Sequence, residues 1–184
     1  MDMKKNITIG SIKEMNAFAL AVARSLKGGE TLALTGELGA GKTAFVKGLA
    51  KALGIKNIVQ SPTFLLMKCY QVRMVHGSWS MLRSLCHVDA YRIKNERELL
   101  AIGLGEKIGD PRTVTAIEWS DLVPELIPKN AIKIKFEHGR NDKERIVTIT
   151  GRAGNVFDIE LLDSASLRSK NIIRARPKPS RELR

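Results

Sequence analysis

Residues 36–43, Gly36-Glu37-Leu38-Gly39-Ala40-Gly41-Lys42-Thr43, follow the pattern G-x-x-x-x-G-K-[ST], in which each fixed position has a chemical task. Glycines let the backbone turn with its N–H groups aimed inward, where they cradle phosphate oxygens. Lys42 supplies a point charge for the β- and γ-phosphates, and the Thr43 hydroxyl is placed to reach a Mg2+ ion. A loop of this kind at the head of a helix also sits where the helix dipole favours anions. The eight residues are therefore the candidate nucleotide-binding site, with ATP and Mg2+ as the expected ligands.

Such a site needs more than its loop. It needs a second metal ligand at a strand end, a segment that senses the γ-phosphate, and a group that orients the attacking water. Ser61-Pro62-Thr63 sets two hydroxyls around a residue of fixed φ, as in segments that switch on nucleotide; an ordinary turn before a strand has the same composition. In His87-Val88-Asp89-Ala90-Tyr91 the alternation of a strand puts His87, Asp89 and Tyr91 on one face. Asp89 could there hold the metal or a metal-bound water, while a histidine such as His87, taken alone, is more often structural. Glu118 follows the apolar run Thr113–Ile117, and an acid at the C-terminal end of such a strand stands where α/β sheets bind their ligands. Lys42, Asp89 and Glu118 are the catalytic candidates; Thr43, Asp89 and Glu118 are the metal candidates.

The elements that must position these groups are legible from periodicity. Thr31–Thr35 is a short apolar strand leading into the loop. Phe45, Val46, Leu49, Ala50 and Leu53 recur at helical spacing after it, and Gly54 stands where a left-handed cap belongs. Upstream, Asn6–Ile9 reads as a strand, and Ser11 with Glu14 forms a capping box for a helix whose apolar stripe is Ile12, Met15, Ala19, Val22 and Leu26. Lys27-Gly28-Gly29 stops that helix. Strands are expected at 64–70, 85–91 and 113–119, with a short helix opened by Asn95 and Glu98 and ending near Gly103. The alternating runs 131–137 and 144–150 flank a turn at 138–142 and make a hairpin. These elements specify an α/β phosphate-loop sandwich with a mixed parallel and antiparallel sheet and a C-terminal β-hairpin.

A chain of 184 residues suits one domain, expected over 1–151, followed by a basic extension over 152–184. The net charge is +12, and seven basic residues against Glu182 alone place half of that excess in residues 164–184. That stretch carries Pro177 and Pro179 without periodicity, so it reads as a flexible basic tail suited to RNA or an acidic protein, or as a plain solvated extension. Residues 71–84 hold Arg73, His76, Trp79 and Arg83 without an acid; nucleic-acid contact is one reading and a hairpin loop the simpler one. No apolar run approaches the ~20 residues that cross a bilayer, and the start of the chain lacks a secretory signal. Cys69 and Cys86 lack metal-ligand spacing and are expected to be reduced thiols, so a cytoplasmic, non-membrane protein is the expectation.

Taken together, Gly36–Thr43, Ser61-Pro-Thr-Phe64, His87-x-Asp-x-Tyr-Arg92, Glu98-Leu-x-x-x-Gly103 and Glu118-Trp119 resemble, in order and spacing, the bacterial TsaE (YjeE) ATPases over about residues 6–150. The resemblance implies that Thr43, Asp89 and Glu118 serve Mg2+ and the attacking water, and that Ser61–Thr63 is a switch. It also implies that Trp119 lies close to the nucleotide and that Arg145 in the last strand approaches it. Thr63, Trp119 and Arg145, with Ser11, complete the nucleotide-binding candidates. Family members help make the threonylcarbamoyl modification of adenosine 37 in tRNAs that read codons beginning with A. They act with the TsaD–TsaB pair that transfers the group, so tRNA is expected as an indirect partner; the basic tail is a candidate contact for it, one to which the resemblance assigns no role. Ala44 and Ser120-Asp121 depart from the family pattern, and neither 71–84 nor the tail is covered by it. Two other readings compete: a small-molecule kinase, against which the paucity of arginines after the 95–103 helix argues, and an RNA-binding module whose nucleotide regulates docking.

Overall fold

The structure, a computed structural model, describes residues 2–57, 59–62, 65–72 and 82–152. In chain order its elements are β1 (Asp2–Ile9), α1 (Ile12–Ser25), β2 (Thr31–Thr35), α2 (Lys42–Ala52), β3 (Met67–Gln71), β4 (Ser84–Asp89), α3 (Arg97–Ala101), α4 (Leu104–Lys107), β5 (Thr113–Glu118), β6 (Ile132–His138) and β7 (Arg145–Arg152). Short 3-10 turns at Ser120–Leu122 and Pro124–Leu126 bridge β5 and β6. The strands form a single seven-stranded sheet in the order β1-β7-β6-β2-β5-β4-β3. Central β2 runs parallel to β5 and to β6, and β4 is parallel to β5. The outer pairs β1·β7, β6·β7 and β3·β4 are antiparallel. The mixed sheet and the β6–β7 hairpin are thus as the alternation implied, with Gly139 N donating to Glu144 O at 2.8 Å across the turn.

Local chemistry explains the two helices that matter most. Ser11 Oγ accepts from Glu14 N at 3.2 Å to cap α1, and Glu14 Oε2 reaches back to accept from Gly10 N at 2.9 Å. Met15, Phe18, Ala19, Val22 and Leu26 are buried, but Ile12 is 68 % exposed, a correction to the stripe inferred above. The first residue of α1 overhangs the edge of the core and lines a cleft instead. In α2, Phe45, Val46, Leu49 and Ala50 are buried, and Gly54 at φ +71 ends the helix. Between the helices lies Gly48, where a Cβ would come within 2.9 Å of both the Ala19 Cβ and the Asn16 Oδ1. Glycine at that point lets α1 and α2 pack closely.

Both helices cover one face of the sheet. Ile7, Leu32, Leu34, Ile134, Phe136, Val147 and Ile149 meet Phe18, Phe45 and Leu49 in the main core. Phe45 stands at its centre, its ring 5.3 Å from that of Phe18 and 5.7 Å from that of Phe136. Truncating Phe45 to alanine removes both ring contacts and leaves a cavity, so it should cost about 3–5 kcal/mol. Urea denaturation would check this, since an unchanged midpoint requires the core to collapse around the gap. A smaller cluster on the opposite face joins Val88 and Ile117 to Leu99, Leu104 and Val123, roofing β4 and β5 with α3, α4 and the 3-10 turns. On that face β6 and β7 show exposed or partly exposed Lys133, Lys135, Thr148 and Thr150.

The cysteines differ from expectation. Cys69 and Cys86 are joined in a disulfide with Cα atoms 4.0 Å apart. They are directly opposite in the antiparallel β3–β4 register, where non-hydrogen-bonded partners approach to about 4.5 Å. Their 17-residue separation says nothing about register, which is why they read as independent thiols; the compartment argument drawn from reduced cysteines falls with that reading. Among the described residues no helix is long and apolar enough to cross a membrane. Most of 71–84, and the tail from residue 153, lie outside the described residues.

Candidate nucleotide site

The glycine loop joins the C-terminal end of β2 to the N-terminus of α2. Gly36 has φ +133, and a Cβ there would lie 2.1 Å from the Phe136 carbonyl oxygen, so only glycine lets the loop start so close to β6. At the N-cap of α2 stands Gly41 with φ +113 and no side-chain cap. No capping side chain therefore competes with a phosphate for the first N–H groups of that helix. Ala40 turns inward and is fully buried, whereas Leu38 at the tip is 74 % exposed. Below the loop is a cavity of about 350 Å³ bordered by Gly39, Lys42, Thr43, Ser61, Asp89 and Glu118, with Tyr91 and Trp119 at its mouth.

Lys42 is only 4 % exposed. Its ammonium donates to the carbonyls of Gly36, at 2.5 Å, and Glu37, at 2.9 Å, and lies 3.7 Å from the centre of the Trp119 ring. Burial pushes its pKa below the ordinary lysine value, and the nearby carboxylates of Glu118, Asp121 and Asp89 partly hold it up. Trp119 reaches this position through a left-handed backbone, φ 59, right after β5. Such a conformation costs about 1–3 kcal/mol in a bulky residue and is held where surrounding structure over-determines it. Here the ring is held by the ammonium and by Tyr91, whose centroid is 4.9 Å away, while Ser120 Oγ anchors the following turn on Leu34 O at 3.3 Å.

The carboxylates come from adjacent strands, since Asp89 and Glu118 are register partners at the C-terminal ends of β4 and β5. Glu118 is buried; its Oε2 accepts from Thr43 Oγ1 at 2.8 Å and its Oε1 lies 2.7 Å from His87 Nε2. His87 is completely buried, and its Nδ1 has no partner among the described residues. The histidine that the sequence favours as structural is indeed buried, and from there it orients Glu118. Asp89 Oδ1 accepts from Tyr91 N at 3.0 Å, and Ser61 Oγ donates to Asp89 Oδ2. Lysine, threonine hydroxyl and two carboxylates converge on one cavity, a donor set of hard oxygens under an anion cradle that suits a Mg-bound triphosphate.

A second cavity of about 440 Å³ opens on the other flank of the loop, lined by Ser11, Ile12, Met15, Gly41, Asp142 and Arg145 among others. Arg145 Nη2 donates to Gly39 O at 3.2 Å, and its Nη1 donates to the carbonyls of Asp142, at 2.7 Å, and Glu144, at 2.8 Å. The structure therefore brings Ser11 and Arg145, 134 positions apart in the sequence, to the same side of the loop. Thr63 lies outside the described residues, so its placement among the candidates is not addressed; Ser61, two positions before it, is in contact with the site. Sequence reasoning missed Met15, Asp121 and Asp142. Each lies within four positions of a named candidate, Ser11, Trp119 or Arg145, but what it faces depends on the packing of α1, β5 and β7 around the loop and not on any motif.

The chain is similar to known proteins in sequence and in fold. Residues 9–147 match the family model described as "Threonylcarbamoyl adenosine biosynthesis protein TsaE". The chain is 37 % identical over 147 residues to the tRNA threonylcarbamoyladenosine biosynthesis protein TsaE of Bacillus subtilis, covering 80 % of this chain and 85 % of that one. To the TsaE protein of Aquifex aeolicus it is 34 % identical over 146 residues, covering 74 % and 98 %. Among solved structures, YdiB of Bacillus subtilis superposes with a TM-score of 0.68 at 30 % identity, covering 86 % of this chain and 92 % of that one. With a match that spans the loop, both carboxylate strands and the start of the last strand, the chain belongs to the TsaE family of threonylcarbamoyl adenosine biosynthesis proteins.

Proposed function

We propose that the chain is a Mg-dependent ATPase that serves the threonylcarbamoyl modification of adenosine 37 in tRNAs, acting on the TsaD–TsaB transferase pair. The observation that carries this reading is the Thr43–Glu118 hydrogen bond beside Asp89 under a glycine loop. It groups a hydroxyl, two carboxylates and a buried ammonium where a triphosphate's terminal phosphates fit. The 350 Å³ cavity takes the phosphates, and the cleft beside Ser11 and Arg145 takes the nucleoside. Thr43 with one of the two carboxylates, Asp89 or Glu118, would hold Mg2+, which when bound neutralises charge on the phosphate oxygens. The chain's own residues do the rest. Backbone N–H groups of the loop and Lys42 fix the phosphates, and the carboxylate that is not engaged with metal orients water toward the γ-phosphorus. Attack forms a new P–O bond as the bond to the β–γ bridging oxygen breaks, and the water's proton passes to the carboxylate and then to solvent. Membership in a tRNA-modification family supports the partner assignment.

Substituting Lys42 by alanine separates binding from folding. Its ammonium contacts two loop carbonyls and the Trp119 ring, which Tyr91 also holds, and Lys42 belongs to neither hydrophobic cluster, so the fold should persist. Losing charge-assisted contacts to the triphosphate should remove most of the affinity, about 10²-fold for a loss near 3 kcal/mol. Thermal stabilisation by Mg-ATP, measured for wild type and K42A, checks this; undiminished stabilisation in the variant would reject the loop as the nucleotide site.

A further inference from the structure

The open face of the sheet carries chemistry that the nucleotide site does not use. On β6 the core takes Ile132, Ile134 and Phe136, so Lys133 and Lys135 point to the opposite side and are exposed. Register aligns them with their neighbours in two rows across the sheet. Lys4 of β1 pairs with Thr150 of β7, which pairs with Lys133. Asn6 pairs with Thr148, which pairs with Lys135, and Thr35 of β2 follows. With strands about 4.8 Å apart and alternate residues about 6.8 Å apart, Lys4, Lys133 and Lys135 span roughly 10 Å by 7 Å. Lys129, from the segment after the 3-10 turns, adds a fourth ammonium to the rim of a groove of about 540 Å³. Two of the polar groups are partly engaged: Lys135 Nζ donates to Glu137 Oε1 at 2.7 Å, and Thr148 Oγ1 to Asn6 Oδ1 at 2.9 Å. Asp121 is the single acid in the lining among the described residues.

We propose that this face is a docking surface for the phosphodiester backbone of a folded RNA, held by Lys4, Lys129, Lys133 and Lys135. Composition distinguishes RNA from a protein partner. Protein interfaces are depleted in lysine and anchored by aromatic and arginine side chains, whereas the described lining of this groove has four lysines, no aromatic and no arginine. Nucleic-acid interfaces are polar and strongly positive, and lysine and threonine hydroxyls are common donors to phosphate oxygens. The missing aromatics also argue against unstacked single strands, which bind by stacking bases on rings. The result is sequence-independent backbone binding on the opposite face of the sheet from the glycine loop. The inference rests on the reading that the chain works on a tRNA-modifying assembly, though not on ATP turnover.

The test measures binding of an unmodified tRNA transcript to the full chain without nucleotide, over a salt series. Three proteins are compared: wild type, the face variant K4A/K133A/K135A, and a tail variant R174A/R176A/K178A that removes the same charge from the basic C-terminal stretch of the sequence. The three face lysines are exposed and support no core, so the face variant folds and retains Mg-ATP stabilisation. It should lose at least about tenfold in affinity, and the slope of log K against log salt should flatten by about one unit per lysine that contacts phosphate. The tail variant should lose less. Equal affinity in wild type and face variant, or a larger loss in the tail variant, would overturn the proposal. So would tighter binding of polyglutamate than of tRNA with loss in the face variant, which would assign the face to an acidic protein. Because no nucleotide is present, a failed ATPase reading shows in the K42A experiment and leaves this readout untouched.

Discussion

Adding the TsaD–TsaB pair to the chain should raise single-turnover ATP hydrolysis by about 10³–10⁵, the rate gain that a cation supplied in trans to a γ-phosphate gives. The expectation follows from what borders the phosphate cavity. Among the described residues Lys42 is the only cation lining it, and no arginine does. Arg145 is on the far side of the loop with both terminal nitrogens donating to backbone carbonyls, and Arg92 is exposed just past β4. Among the described residues, charge developing on the equatorial γ-oxygens therefore has no arginine lining the cavity to serve as a planar, bidentate partner. Rates compared for the chain alone, with the pair, and with the pair plus tRNA would test this. Equal rates in all three point instead to a small acceptor completing the site, as in a kinase.

Glu118→Gln should lower turnover by about 10²-fold or more while leaving most nucleotide binding in place. The amide keeps the shape but removes the charge that faces Thr43, and it can no longer accept from both Thr43 and His87 without turning its NH2 toward one of them. Asp89→Asn should have a smaller effect on turnover. Asp89 is held by Ser61 and by the Tyr91 backbone, and an asparagine oxygen can still accept one of those bonds. Rates measured with partners present, alongside Mg-ATP stabilisation of each variant, separate the two roles. Wild-type turnover in both would place the metal ligands elsewhere.

Much of this was legible in the sequence for a physical reason. A glycine loop, a strand-end acid and a capping serine are local devices, each specified within a few residues. Hence the span of β2, the start and end of α2 and the position of Glu118 agree with expectation to within a residue. The alternation that put His87 and Asp89 on one side is equally local, whereas Tyr91, expected on the same strand, lies in the turn past the end of β4. What stayed hidden depends on which strands become neighbours. Cys69 meets Cys86, His87 meets Glu118 and Ser61 meets Asp89 only once β3, β4 and β5 take their places. Ile12 misled because helical period identifies a stripe without saying where the sheet beneath it ends. Lysines at 133 and 135 alternate with core residues as any amphipathic strand would, and they became a surface with Lys4 only through the β1–β7–β6 register.

The close seating of α1 on α2 at Gly48 sets how the cleft is able to move. Ser11 stands at the head of α1, and Lys42 and Thr43 at the head of α2, so one wall of the Ser11–Arg145 cleft and the floor of the cavity under the glycine loop belong to the same tightly meshed pair. Separating them would open a gap in the interior, which packed cores resist. The opposite wall is built otherwise: Ser61 touches Asp89 from a connecting segment, and Trp119 sits on a strained backbone against a lysine and a tyrosine. The cleft is in effect a vice with one fixed jaw. If the chain binds ATP as proposed, a rearrangement that reports the γ-phosphate falls to the Ser61 and Trp119 side, and that side is where an associating protein would feel it.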